Sequence, residues 1–119
     1  NEGLVKPGIA PITCPQGSTF RRTLVYKIAR RPVDLTEWDA RMQVRETHSA
    51  TSTLANLTVG NGGLTLGGSA GTITIYISHE DTSNIRAGNY VYDLELVEPN
   101  GDVMRLVEGK FTVTPETTR

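Results

Sequence analysis

The chain has 119 residues, 12 of them basic and 13 acidic, for a net charge of −1. A chain of that length is one domain, able to bury roughly two-thirds of its unfolded surface without metal or disulfide support, and a lone Cys14 excludes an internal disulfide framework. The charge balance lacks the basic excess by which nucleic-acid binding announces itself, and no run approaches the ~18 apolar residues of a membrane-spanning helix.

Residues 1–16 read as an extended N-terminal arm, because Pro7, Pro11 and Pro15 at four-residue spacing forbid a stable helix. Between them Leu4, Val5, Ile9 and Ile12 are apolar enough to seek a surface. Two outcomes are open: the arm lies on its own domain and ends as an edge strand, or it docks on a neighbouring subunit.

Thr19 to Ile28 alternates, with Phe20, Leu24, Tyr26 and Ile28 on one face and Arg21, Thr23 and Lys27 on the other. Period two marks a half-buried strand. Arg30 to Thr36 turns the chain, and Trp38 to Glu46 follows as a strand with Ala40, Met42 and Val44 inward and a charged outer row. Residues 47–53 are a polar connection. Leu54 to Leu66, interrupted by Gly60-Asn61-Gly62-Gly63, reads as two short strands joined by a hairpin-like loop.

Thr72 to Ile77 is a strand with three inward isoleucines, and Ser78 to Ile85 predicts one helical turn crossing between sheets. Gly88 then enters a long strand, Asn89 to Val97, with Tyr90, Tyr92, Leu94 and Leu96 inward. Pro99-Asn100-Gly101-Asp102 is a hairpin signal. It leads into Val103 to Val113, where Gly109 predicts a bulge. A Tyr two positions after a glycine turn is how the penultimate strand of an immunoglobulin-like sandwich begins. The fold expected is therefore all-β: an immunoglobulin-like antiparallel β-sandwich of about seven strands, spanning residues 17–119. Gly88 and Tyr90 form its corner, and Tyr90→Phe is expected to cost about 1–3 kcal/mol, because a buried donor's partner is left unpaired.

Catalytic readings fail. His48 and His79 lie in separate polar connections, and no nucleophile-elbow sequence is present. The glycines of 60–68 lack the Gly-Lys-Ser/Thr ending of a phosphate loop. His79-Glu80-Asp81 has no spaced fourth ligand for a metal. No enzyme activity, metal or cofactor is expected.

Six segments in order carry a resemblance: Gly17-Ser18-Thr19-Phe20, Pro32-Val33-Asp34-Leu35-Thr36, Arg41-Met42-Gln43-Val44-Arg45, Ile75-Tyr76-Ile77-Ser78, Gly88 to Leu96, and Gly109 to Thr114. Together they resemble small β-sandwich domains of tailed-bacteriophage virions, similar to the N-terminal domain of siphophage baseplate upper proteins. The resemblance implies a non-enzymatic virion structural protein at the tail or baseplate, neck or capsid surface, assembled in the bacterial cytoplasm. Its partners would be other virion proteins and further copies of itself, with no nucleic acid and no membrane. Leu4, Val5, Ile9 and Ile12 are then the expected partner contacts, and a sandwich lacking residues 1–16 is expected to fold but not assemble. The alternative is a glycan- or receptor-binding module, for which Tyr26, Trp38 and Tyr76 are the candidate aromatics.

Overall fold

A computed structural model describes residues 8–47 and 49–115. The N-terminal half contains β1 (Gly8–Ile9), β2 (Ile12–Pro15), β3 (Phe20–Val25), β4 (Lys27–Ile28), β5 (Arg31–Pro32) and β6 (Asp39–Arg45). The rest contains β7 (Ala55–Thr58), β8 (Leu64–Leu66), β9 (Thr72–Ile77), α1 (His79–Ser83), β10 (Gly88–Val97) and β11 (Val103–Thr114).

Two sheets face each other. The larger runs β1-β11-β10-β6-β7, with β2 also on β11, and the smaller runs β3-β9-β8. The chain is an immunoglobulin-like β-sandwich, antiparallel except where β1 and β2 run parallel to β11. Alternation drives the layering. Ala40, Met42 and Val44 of β6 and Tyr92, Leu94 and Leu96 of β10 meet Ile73, Ile75 and Ile77 of β9 in one continuous core. Phe111 stands at its centre, edge-on to Phe20 at 6.5 Å and to Tyr92 at 6.2 Å. Such pairs add about 0.5–1.5 kcal/mol beyond area burial.

Residues 8–15 belong to this sandwich, so the arm boundary expected at residue 16 does not describe them. Ile12 pairs with Phe111 and Cys14 with Val113. Both side chains are buried in the core, at 1% and 0% exposure. Pro11 interrupts the strand without moving its register, since a proline on an outer strand removes only an N–H that no neighbour needs.

Four local expectations are corrected. The alternation through Ile28 ends at Tyr26, because Ala29 and Arg30 both adopt positive φ and fold β4 onto β5 as a tight hairpin. Ile28 is thereby turned outward and exposed. The glycine loop after Thr58 is no hairpin: β7 pairs with β6 and β8 with β9, so it arches from one sheet to the other. Leu54 and Val59, beside β7, are exposed. The bulge on β11 lies at Leu106, where Leu94 opposes Val107 and Glu95 opposes Arg105, and not at Gly109. That extra residue explains why β11 shows apolar residues in both registers. Gly109 serves the arm instead, since a Cβ there would lie 3.0 Å from the Ala10 carbonyl oxygen. The crossing at residues 78–85 is as expected: α1 is capped by Ser78, whose hydroxyl accepts from the Asp81 amide at 3.1 Å.

Ile12→Ala is expected to lower unfolding free energy by about 2–4 kcal/mol in urea titration, the cost of a cavity in a core that closes only partly. A loss below about 0.5 kcal/mol would place β2 outside the cooperative unit.

Candidate interaction surfaces

The entrance to β10 is tied at two levels. Tyr90 donates its hydroxyl to the Arg86 carbonyl four residues upstream, across the Gly88 corner. Two residues on, Tyr92 donates to the Ala10 carbonyl and so fastens the N-terminal strand to β10, across the intervening β11. Sequence reasoning missed this second bond, because Tyr92 read simply as another inward residue. Burial pushes the Tyr92 phenol above its ordinary value, a rise the Arg22 charge partly offsets.

The α1 crossing is locked to the turn between β2 and β3 by Thr82, a buried polar residue. Its hydroxyl accepts from the Gly17 amide at 3.0 Å and reaches the Ser18 carbonyl at 2.9 Å. Gln16 donates its side-chain amide to the Ile85 carbonyl at 2.9 Å. The residues after Pro15 are thus clamped from the far end of the sandwich as well.

The outer face of β6, β10 and β11 is a charge lattice. Arg41 contacts Glu95 at 2.7 Å, and Arg105 sits among Asp93 at 3.8 Å, Glu95 at 3.5 Å and Glu108 at 3.2 Å. Burial lowers the Arg105 guanidinium, but Asp93, Glu108 and Glu95 outweigh it and hold the group above its ordinary value. Exposed pairs of this kind contribute about 0–1 kcal/mol each and weaken with salt. Their effect is a wetted face of mixed sign.

A groove of about 550 Å³ runs between β7 and α1, lined by Leu54, Asn56, Leu57, Tyr76, Asp81 and Ile85 among others. A second, of about 480 Å³, lies beside Trp38, Val59 and Leu66. Neither gathers an acid–base pair with a nucleophile. Among the described residues no group of three or more His, Cys, Asp or Glu side chains is placed to hold a metal ion. Cys14 is buried and its thiol pushed up by burial, the opposite of what a reactive thiolate needs.

The expected partner contacts divide. Leu4 and Val5 lie outside the described residues, as does His48. Ile9 lies in β1, with its backbone paired to Glu108. Ile12 is corrected: its side chain fills the domain's own core and is not available to a partner. The candidate sugar-stacking aromatics are engaged within the domain. Tyr26 is buried with its hydroxyl 3.5 Å from the Met104 sulfur, Trp38 packs against the core, and Tyr76 lies under the Arg21 guanidinium at 5.0 Å.

No family model and no curated relative matches the chain. Among solved structures it is similar to CopC from Methylosinus trichosporium OB3b, at 12% identity and a TM-score of 0.49, over 91% of this chain and 89% of that one. A likeness that distant brings nothing of that protein's role to this chain.

The two tyrosines should respond differently to loss of the hydroxyl. The Tyr90 bond is exposed, so water takes its place and Tyr90→Phe should cost about 0.5–1 kcal/mol, less than a buried bond implies. Tyr92 is 3% exposed, so Tyr92→Phe strands the Ala10 carbonyl and should cost about 1–3 kcal/mol. Paired urea titrations decide it, and a Tyr92 variant no weaker than the Tyr90 variant contradicts the assignment.

The same burial sets an alkaline limit. Tyr92, Tyr26 and Cys14 all have folded-state values raised above the ordinary one, chiefly by burial. The unfolded chain therefore releases their protons first, and stability is fully present below about pH 8–9 and lost as pH rises beyond. Tyr92→Phe should flatten the fall above about pH 10. An unchanged slope in a urea–pH series would remove Tyr92 from the account.

Proposed function

We propose that the chain is a non-enzymatic structural protein of a tailed-bacteriophage particle, attached to other virion proteins by surface contacts and present in multiple copies. The observation that carries this is the ordered set of six segments from Gly17 to Thr114 that resembles virion β-sandwich domains. Consistent with it, those segments are the structural skeleton: the β3 entrance, the corner before β6, the β6 strand, the α1 cap, and the β10 and β11 strands. Tyr26, Tyr76, Tyr90, Tyr92 and Thr82 are engaged in holding that skeleton, and neither groove gathers an acid–base pair with a nucleophile.

Engagement of Tyr26, Trp38 and Tyr76 within the domain weighs against a glycan-binding head. Contact with a partner would fall to the charge lattice and the segment leading into β1. The chain acts without cofactor, nucleic acid or membrane in this scheme.

An epitope-tagged chain, supplied in trans during infection of a bacterial host by the phage that encodes it, tests the proposal. Gradient-purified particles should carry the tag at a stoichiometry matching a symmetric part of the virion. A tag that stays with free protein at the top of the gradient would overturn the assignment.

A further inference from the structure

β7 is the end strand of the larger sheet, bonded to β6 on one side only. An end strand offers a row of N–H and C=O groups to any extended chain. Residues two apart on a strand direct these groups to the same side, so Asn56 and Thr58 form one such set. Of the four groups in that set, the Thr58 N–H and the Asn56 carbonyl are already taken. The Asn61 side chain accepts from the Thr58 amide at 2.9 Å and donates to the Asn56 carbonyl at 2.9 Å. A single carboxamide thus occupies one donor and one acceptor of the set that a neighbouring strand would engage.

The loop holds that side chain in place by further bonds. Asn61 Oδ1 also accepts from the Gly63 amide at 2.9 Å, and the Asn61 amide donates to Thr58 Oγ1 at 3.0 Å. The arch is pressed onto the strand as well: a Cβ at Gly63 would lie 2.7 Å from the Leu57 Cβ. Asn61 itself is solvent-exposed, so these bonds fill no hole in the core.

We propose that Asn61 is an edge plug, which keeps β7 from pairing with β7 of a second copy of this chain. A second copy is the occupant that the flanks favour. Exposed Leu54 and Val59 stand at the two ends of β7. Antiparallel pairing about a two-fold axis at Leu57 sets Asn56 opposite Thr58 of the other copy, and Ala55 opposite its Val59. Val59 is then covered by the same contact that joins the edges, and Leu54 lies opposite Gly60 of the other copy, in a self-complementary interface. The plug is independent of the virion assignment and stands or falls without it.

Asn61→Ala in the full chain removes the two bonds to the strand and the one to the Gly63 amide, and keeps the Asn61 amide bond to Thr58. Light scattering over a concentration series should show mass rising from the wild-type value toward twice that value. Asn61→Ala combined with Thr58→Pro, which deletes the outward N–H, should return to the wild-type mass. A folded Asn61→Ala protein of wild-type mass overturns the plug, and so does association that persists in the double variant. Should Asn61→Ala fail to fold, hydrogen exchange of the wild-type chain decides. Slow exchange at the Thr58 amide supports the plug, and exchange at the rate of an open strand edge overturns it.

Discussion

The parallel pairing of residues 8–15 along β11 is the contact on which the rest of the sandwich depends. Ala10 donates to the Glu108 carbonyl at 3.1 Å, and Gln16 donates to that of Thr114 at 2.9 Å. Between these bonds Ile12 and Cys14 enter the core beside Phe111 and Val113. Tyr92 and Gly109 then fix how closely the strand can lie, one by a hydrogen bond and the other by lacking a side chain. Thr82 and Gln16 carry the same connection to α1 at the far end. Without this strand β11 would be an open edge, and the Phe20–Phe111–Tyr92 cluster would lose one of its walls.

Edges are the recurring constraint of an open sandwich, since every unpaired strand invites pairing with another chain. Each edge is met differently here. Pro11 and Pro15 lie in the outer N-terminal strand, where missing N–H groups offer little to a newcomer. β3 carries Arg21 and Arg22, the second with its guanidinium over the Phe20 ring at 5.6 Å. β8 has three residues, too few for an extended partner to gain much. β7 is covered by a side chain from its own loop. These four solutions close the edges with residues of the sandwich itself.

What was legible in the sequence was local. The period-two alternation of β6, β9 and β10, the Asn100-Gly101 hairpin, the Ser78 cap and the Gly88–Tyr90 corner each depend on residues within a few positions of one another. What escaped depends on partners far along the chain. Nothing near Ile12 says that its neighbour is Phe111, and nothing near Tyr92 names Ala10. The stretch Gly60 to Gly63 is compatible with a hairpin or an arch, and the choice is made by which sheet receives Leu64. Gly109 marks a special backbone position without saying which kind, because a bulge and a close backbone approach favour the same residue. Of the expected partner contacts, Ile12 shows how an apolar residue in an arm cannot be told from a core residue by composition alone.

Native-state hydrogen exchange of the N-terminal strand tests the central claim, that this strand is part of the cooperative core. The Cys14 amide, which the alternation set by Ala10 and Gln16 directs toward β11, should exchange as slowly as core amides such as that of Leu94, through global unfolding. Thr13, directed outward, should exchange far faster. A Cys14 amide that exchanges as fast as Thr13 would show the strand detaching on its own, and would return residues 8–15 to the status of a free arm.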